Sequence, residues 1–534
     1  MGAGAVELVQ GPGPVPARRP ASLLGHRQAA PAPAGGAVPV SAARPVRPGE
    51  PVPAPFAVVN AVVWAGAGTG VAGSALGVDA AGRVSAVGGR SEVESSLPAG
   101  APRVDAAGRW LVPGFVDAHV HVRASAARSA YRDVSRCRSI GELLAEVAAG
   151  CRAGAGWRSF WGLQPEHLAE RRPPRRSELD AASGGVPVRI RHRSLHAWSV
   201  NTAALAALGV AGRDGGAGPE VERDPTGAPT GQIVDHTGWF RRAAGRLTGE
   251  ADFARALAGW SAELRRHGVL GMADATCTNG GAELAALARW RADGLVRQRV
   301  TALAAPSAAL AAPPVPVTGH KLMPGSAQEL AETLPASWRR GFDVAVHCTE
   351  VETLAAVIGT AEAVPPRHRR GLRIEHAAVC PPEWLDRLAR LGAVVVTHPS
   401  FVSAHGDRHL AEEVAPGGDG LYRLASWLRA GVRLAVGSDA PAGPVEPVRA
   451  FHAARSRVTA AGRTIGPDEA LSWSQALSAL TTWAADHSGL GRAGYGRLAP
   501  GGPGAAVLLD GDPRAGAELA VSGVVDGGEL APIA

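Results

Sequence analysis

The sequence predicts an α/β protein, a TIM-like (β/α)8 barrel with a small composite β-sandwich domain built from both ends of the chain. Apolar segments of strand length alternate with helical segments through the middle of the chain, which is typical of parallel βα units. Several of these strands end in His or Asp, and the carboxyl ends of barrel strands are where barrel chemistry takes place. Short β-like segments precede and follow this region.

The two ends of the chain define the predicted domain boundaries. Residues 1–54 are rich in Pro, Ala, Gly and Arg without apolar periodicity, so we interpret them as a disordered leader. Residues 55–112 and 491–534 contain short β-like segments and glycine-rich turns, and we expect them to form the two parts of one β-sandwich. The barrel then occupies residues 113–490.

Apolar runs mark the candidate barrel strands. They lie at residues 110–121, 186–192, 268–274, 297–303, 315–322, 342–347, 371–376, 393–398 and 432–439. This gives eight strands, or nine if the segments at 297–303 and 315–322 are separate. Helical patterns lie between them, at residues 140–147, 201–208, 253–267, 283–292, 327–334, 352–363, 382–391 and 421–430. Because parallel neighbours need a crossover connection, this alternation favours a parallel barrel.

Polar side chains at the ends of these strands are candidate metal ligands. His119 and His121 lie two residues apart, so in a strand both point to the same face. The complete set is His119, His121, His347, His376 and Asp439. Each alone is equally well explained as a hydrogen-bonded polar residue at a strand end. Five imidazole and carboxylate groups at one edge of a barrel favour a metal site.

The chain contains a single lysine, Lys321, among 55 basic residues. Arginine occupies every other basic position, which is usually tolerated on a surface. Lysine differs because its primary amine has a pKa that burial can lower. Such an amine acts as a base, forms a Schiff base or reacts with carbon dioxide to give a carbamate. Survival of one lysine by chance is the alternative.

Composition favours a globular enzyme and argues against other classes of protein. Hydrophobic residues make up 46% and charged residues 19% of the chain, and its net charge is +7. The basic runs lack an aromatic stacking platform, so we expect no nucleic-acid partner. Five cysteines without paired spacing argue against disulfides and favour the cytoplasm. Prolines and glycines interrupt the uncharged stretch 51–78, so we expect no membrane span. The sequence leaves open whether the chain forms a homo-oligomer.

Six motifs resemble the metal-dependent amidohydrolase superfamily, in particular its YtcJ-like and N-substituted formamide deformylase-like branch. The resemblance runs from about residue 56 to residue 513, and the order and spacing of the motifs are specific. They are PGFVDAHVH (113–121), RHRSLHAWSVNTAAL (191–205), PTGQIVD (229–235), RIEHA (373–377), GSDAP (437–441) and GRLAPGGPGAAVLLDGDP (496–513).

The resemblance implies a barrel with a composite β-sandwich and hydrolysis of amide or related C–N bonds. It implies metal ligands at His119, His121, Lys321, His347, His376 and Asp439. The lysine is carboxylated in some members of the family. Zinc is the expected metal, at one or two ions per chain. Residues 323–325 and 348–350 depart from the family pattern beside predicted ligands, which leaves the number of ions open.

The leading functional hypothesis is hydrolysis of a non-peptide C–N bond of a small-molecule substrate by a metal-activated water. Asp439 would be catalytic, ligating a metal and carrying the proton to the leaving amine. His196 would bind the substrate oxygen, or else is a structural loop histidine. The alternatives are a mononuclear deaminase or cyclic-amide hydrolase, with Lys321 unmodified, and a catalytically inactive barrel that binds small molecules.

Overall fold

A computed structural model of the chain describes residues 50–533 with internal gaps. The residues outside the description within that range are 153–155, 194–196, 211–219, 235–238, 241–242, 244–248, 311, 413, 415–419 and 517. Within the described part of the chain, no helix combines the length and the apolar character needed to cross a membrane.

The centre of the fold is a parallel barrel. Among the described residues, eight parallel strands form one sheet whose order follows the chain from the first strand to the eighth. These strands are Phe115–Val120, Val269–Asp274, Arg299–Ala304, Val317–Leu322, Val344–Cys348, Leu372–His376, Val394–Thr397 and Arg433–Val436. Most of their residues are buried on both faces, which explains their nearly continuous apolar sequences. The predicted fold class is confirmed, and the segments at 297–303 and 315–322 are separate strands.

Backbone hydrogen bonds join the first and eighth strands just beyond the end of the eighth. The Asp439 amide donates to the His119 carbonyl at 2.8 Å, and the His121 amide donates to the Ala440 carbonyl at 3.0 Å. Asp117 adds a side-chain link, because its carboxylate accepts from the Ser438 amide at 2.9 Å and from the Ser438 hydroxyl at 2.5 Å. We call this set of contacts the barrel seam.

Helices cover the outside of the barrel. In the helix Ala327–Arg339, Ser326 caps the first turn by accepting from the Glu329 amide at 3.1 Å. Leu330, Leu334 and Trp338 are spaced four residues apart and are buried against the strands. Outside the inserted unit described below, the helices between the first barrel strand and the C-terminal strands of the sandwich are Val122–Ser129, Glu250–Arg266, Gly281–Ala292, Ala327–Arg339, Val351–Ala363, Leu385–Arg390, Ser400–Ala411, Ala425–Arg429, Pro447–Ser456, Trp473–Leu480 and Thr482–His487. Short 3₁₀ turns lie at Pro165–His167, Pro366–His368, Pro382–Trp384, Pro467–Glu469 and Gly491–Ala493.

The segment 186–192 is not a barrel strand, which corrects the sequence-based assignment. Its strand, Val188–His192, pairs in antiparallel fashion with Ala197–Val200, whereas neighbours in a parallel barrel need a crossover. It belongs to an inserted unit between the first and second barrel strands. The described residues of that unit form a six-stranded sheet, ordered Arg132–Asp133, Arg158–Leu163, Val188–His192, Ala197–Val200, Pro229–Val234 and Val221–Arg223. Its helices are Ile140–Cys151, Arg176–Ser183 and Thr202–Ala207.

A β-sandwich combines strands from both ends of the described chain. Ala506–Asp510 pairs with Trp110–Pro113, with Leu508 opposite Leu111. In the described residues, the seven-stranded sheet contains, in order, Val52–Pro53, Glu529–Pro532, Ala520–Asp526, Ala506–Asp510, Trp110–Pro113, Val62–Trp64 and Val71–Gly73. The four-stranded sheet contains Val84–Gly88, Ala75–Val78, Phe56–Val59 and Arg103–Asp105, and the helix Arg90–Ser95 follows its edge strand Val84–Gly88.

The core of the sandwich lies between these two sheets. Val58 and Leu76 from the smaller sheet are fully buried in one apolar cluster with Leu111 and Val525 from the larger sheet. Of the expected leader, residues 1–54, the first 49 residues lie outside the described part of the chain. Its last part includes the strand Val52–Pro53, so the sandwich begins before residue 55.

Candidate metal centre

The predicted ligands lie at the carboxyl ends of five barrel strands. His119 lies near the end of the first strand and His121 directly follows that strand. Lys321, His347 and His376 lie at or next to the last residues of the fourth, fifth and sixth strands. Asp439 follows the eighth strand. Because all these strands are parallel, their carboxyl ends meet at one mouth of the barrel.

Asp439 lies among three of the predicted histidines. Its Oδ1 is 3.2 Å from His121 Nε2 and 3.4 Å from His119 Nε2, and its Oδ2 is 3.8 Å from His376 Nδ1. Burial raises the pKa of the Asp439 carboxyl, but the neighbouring imidazoles of His119 and His121 outweigh burial and hold that pKa well below its ordinary value. Asp439 is therefore ionised at neutral pH.

Two groups of potential metal donors share one residue. Among the described residues, His119, His121 and Asp439 form one group, and His119, His376 and His398 form the other; within each group the donor atoms lie within 4.8 Å of one another. His347 belongs to neither group, but its ring centre lies 4.5 Å from that of His376. His119 is thus the residue on which both groups depend.

Glu375 fixes the orientation of His119. Its Oε2 lies 2.5 Å from His119 Nδ1, and its Oε1 accepts from Arg373 Nε at 2.5 Å. Burial would raise the pKa of Glu375, but the charges of Arg373, Lys321 and His119 outweigh it and place the pKa well below the usual value. A carboxylate only accepts, so Nδ1 of His119 carries the proton and Nε2 presents a lone pair.

Lys321 is buried in the same region, with 2% of its surface exposed. Desolvation lowers the pKa of its amine, against the attraction of Glu375 and Asp439. Within the described part of the chain, its Nζ has no hydrogen-bond partner. A buried amine with a lowered pKa reaches the neutral form, which is the nucleophilic form of lysine, more readily than an exposed lysine does.

Two of the predicted ligand histidines, His347 and His376, are held in the neutral form that binds metals. Burial, together with the positive charge of Lys321, lowers the pKa of His347 to about 4. Burial also lowers the pKa of His376 well below its ordinary value. Neutral imidazole is the protonation state that ligates a metal ion.

Backbone geometry near the site departs from regular strand. His376 has a φ angle of 69° and Asp439 has a φ angle of 54°, a region that non-glycine residues rarely adopt. In a regular strand, Glu375 and His376 would point to opposite faces. The turn at His376 brings both side chains to His119 instead, since their atoms or rings approach it within 2.5 Å and 5.0 Å respectively.

The residues present fit a divalent metal ion. His119 Nε2 is a buried acceptor without a hydrogen-bond partner in the described part of the chain, and it lies beside an ionised carboxylate. Mixed imidazole and carboxylate donors suit zinc and similar first-row ions. His121 has its own support, because its Nδ1 lies 3.2 Å from the Thr276 hydroxyl.

Sequence reasoning missed several residues of this centre. Glu375 and Arg373 were visible in the RIEHA motif, but their role required knowledge of the contact with His119. His398 carried a usable signal, since it follows an apolar strand in the same way as His376 does. The predicted substrate residue His196 lies outside the described residues.

Comparison with known proteins identifies relatives of the chain. The model of a family described as the amidohydrolase family matches residues 103–527. N-substituted formamide deformylase from Arthrobacter pascens is 27% identical over 496 residues, covering 81% of this chain and 89% of that protein. Putative amidohydrolase YtcJ from Bacillus subtilis is 24% identical over 405 residues, covering 65% and 73%.

Solved structures share the fold. An uncharacterized metal-dependent hydrolase from Pyrococcus horikoshii superposes with a TM-score of 0.69 at 21% identity, covering 86% of this chain and 98% of that one. A corresponding hydrolase from Pyrococcus furiosus gives a TM-score of 0.68 at 20% identity, covering 86% and 99%. Because the family match spans most of the sequence, this chain belongs to the amidohydrolase family, in its YtcJ-like and formamide deformylase-like branch.

Proposed function

We propose that this chain is a hydrolase that cleaves an amide or formamide-like C–N bond, other than a peptide bond, in a small molecule. The observation that carries the proposal is the meeting of an ionised Asp439 with His119, His121 and His376 at the mouth of the barrel. The likeness to a formamide deformylase supports the choice of bond.

The residues proposed to hold the metal are His119, His121, Lys321, His347, His376 and Asp439. A divalent cation there, for which we propose zinc, supplies Lewis acidity that lowers the pKa of water towards neutrality and polarises a carbonyl. Asp439 accepts the proton of the attacking water and delivers it to the leaving nitrogen. Its ionised state prepares it for the first of these transfers.

Lys321 is proposed to become carboxylated. The neutral amine attacks carbon dioxide, an N–C bond forms, and the nitrogen releases one proton to leave an anionic carbamate. Burial favours this reaction because it lowers the pKa of the amine. The carbamate of Lys321 would carry two oxygen atoms able to ligate a metal. An arginine at this position would stay protonated and offer no such ligand.

A mononuclear deaminase or cyclic-amide hydrolase is the second candidate. It is favoured by one observation, that both donor groups found among the described residues require His119. Metal analysis of protein purified without chelators separates the candidates. About two equivalents per chain supports a bridging Lys321, and about one supports the mononuclear centre. No uptake of zinc in the presence of bicarbonate contradicts both and leaves a binding barrel.

Turnover provides the direct test. We expect release of formate or amine from a panel of N-substituted formamides and small amides. The Asp439→Asn substitution should lower kcat by about 10²–10⁴-fold, the usual contribution of a positioned acid–base group. Asp293→Asn, which changes an exposed carboxylate after the helix Gly281–Ala292, is the matched control and should keep full activity. Full turnover by Asp439→Asn would rule out the proposed role.

A further inference from the structure

His398 is a buried histidine at the barrel mouth that the proposed ligand set does not include. It directly follows the seventh barrel strand, Val394–Thr397, and none of its surface is exposed. The other strands that contribute to the centre end in a proposed ligand in the same way. The seventh strand therefore brings one further imidazole into a site that already contains several.

The hydrogen bond of His398 fixes its tautomer. Its Nδ1 lies 2.8 Å from the carbonyl oxygen of Gly437. A carbonyl oxygen only accepts, so Nδ1 carries the proton and Nε2 presents a lone pair. In the part of the chain that the structure describes, this Nε2 has no hydrogen-bond partner and is shielded from solvent. A buried acceptor without a partner requires an explanation, and a metal ion is one.

The surroundings of that lone pair indicate what it binds. The donor atoms of His398, His119 and His376 lie within 4.8 Å of one another. The ring centre of His398 lies 5.2 Å from that of His119 and 4.8 Å from that of His376. His119 repeats the arrangement of His398, with Nδ1 occupied by an oxygen and Nε2 unpartnered among the described residues. Two such lone pairs in one buried cluster are typical of imidazole metal ligands.

We infer that His398 is a further metal ligand, which the seventh barrel strand contributes to a three-imidazole group with His119 and His376. Three imidazole ligands with a remaining open position suit zinc, cobalt or iron in the divalent state. The inference rests on the proposed function, because it concerns the same centre. An ion bound to His119 would then have two possible sets of further donors. One set is His121 with Asp439, and the other is His376 with His398.

Substitution of His398 by Asn tests the inference without relying on activity. The Asn amide retains a donor for the Gly437 carbonyl and removes the second nitrogen. We would titrate metal-free protein with Zn²⁺ against a chromophoric chelator, and with Co²⁺ while recording its visible absorption. The variant should bind Zn²⁺ at least about tenfold more weakly and show a changed Co²⁺ spectrum.

His320→Asn is the matched control. His320 is also a fully buried strand histidine, its Nδ1 lies 2.9 Å from the Ser337 hydroxyl, and its Nε2 is unpartnered among the described residues. It stacks on Phe342, with ring centres 4.1 Å apart, and belongs to neither donor group. This variant should match the wild-type protein in Zn²⁺ affinity and in Co²⁺ spectrum.

The outcomes separate this inference from the proposed function. If the wild-type protein binds metal and His398→Asn is indistinguishable from it, His398 is a packing residue and the inference is wrong. If the wild-type protein takes up neither ion, the proposed function fails and the inference fails with it. Should His398→Asn not fold, as judged by circular dichroism, the same titrations on His398→Gln decide between these results.

Discussion

Glu375 shows how one carboxylate organises the proposed centre without a place among its ligands. It bridges His119 and Arg373, and Arg373 also donates to the Ala118 carbonyl at 2.6 Å on the first barrel strand. The position of His119 is thus defined from the sixth strand. Partners of this kind orient metal-binding imidazoles and raise their basicity.

The Glu375→Gln substitution tests this role. The amide keeps the size of the side chain but removes the negative charge that faces His119, Arg373 and Lys321. We expect Zn²⁺ affinity to fall by about 10–100-fold, as measured by chelator competition. Glu352→Gln, in the exposed first turn of the helix Val351–Ala363, should leave the affinity unchanged. Equal affinity in both variants would contradict the positioning role.

Gly437 allows the eighth strand to approach the first. A Cβ atom at this position would lie 2.6 Å from both the Cβ and the backbone nitrogen of His119. Because backbone atoms cannot give way as a flexible side chain does, any larger residue must push the two strands apart. The close approach also brings the Gly437 carbonyl to His398.

Gly437→Ala should therefore lower both stability and metal affinity. We expect a loss of about 1–3 kcal/mol in the free energy of unfolding, the usual effect of overpacking a buried site. In Gly359→Ala the new Cβ meets no atom within 4 Å, and the residue lies in an exposed helix position. That control should be neutral or slightly stabilising. Urea unfolding of both variants measures this difference. If Gly437→Ala has the same free energy of unfolding as the wild-type protein, the two strands accommodate the extra methyl group without loss of stability.

The sequence predicted most of the barrel strands but could not separate them from similar strands elsewhere. Val188–His192 has the length and burial of a barrel strand, and only its pairing with Arg158–Leu163 and Ala197–Val200 in a separate sheet excludes it. The strand ends marked five ligands of the proposed centre by pattern alone. The contact of Glu375 with His119 joins residues 256 positions apart in the chain, and no local residue pattern encodes it.

The short helix Ala425–Arg429 depends on a distant carboxylate at its start. Glu469 accepts from the Leu424 and Ser426 amides, each at 2.9 Å, and from Arg423 Nη1 at 2.9 Å. Burial raises the pKa of Glu469, but the hydrogen bonds from Ser426, Leu424 and Arg423 together bring it below the ordinary value. A carboxylate at a helix N-terminus also interacts favourably with the helix dipole.

Glu469→Gln should destabilise the protein by about 2 kcal/mol at neutral pH, since hydrogen bonds to charged groups are lost. The pKa of Glu469 is lower in the folded than in the unfolded chain, so its contribution is complete above the unfolded pKa. It disappears as the pH falls through the lowered folded pKa. The difference in the free energy of unfolding between wild type and variant, measured with urea, should therefore become smaller as the pH is lowered. Glu332→Gln, at an exposed position, should have the same free energy of unfolding as the wild-type protein at every pH.

At the scale of the whole molecule, the barrel seam and the proposed metal centre share residues. The His119 carbonyl and the Asp439 amide form the seam, and the side chains of the same two residues face each other in the centre. We therefore expect binding of an ion by these side chains to be coupled to closure of the barrel, because a ligand that binds only the closed form stabilises it.

Hydrogen exchange followed by mass spectrometry measures this coupling. We expect amides near residues 115–121 and 437–440 to exchange faster after treatment with a chelator than in zinc-loaded protein. Peptides from Ala75–Val78 and Val84–Gly88, in the smaller sheet of the sandwich, should exchange alike in both states. Identical rates at the seam would show that the barrel closes independently of the metal.

The single lysine has a practical consequence for chemistry performed on this protein. Lys321 is the only side-chain amine in the sequence and is almost completely enclosed. Amine-directed crosslinkers and fluorescent esters will find no lysine on the surface, so they leave the folded chain unmodified at lysine. The same feature makes isotopic labelling unambiguous, since a carbamate resonance that appears with ¹³C-bicarbonate has one possible side-chain origin. The composition of this chain thus supplies a site-specific spectroscopic probe without any engineering.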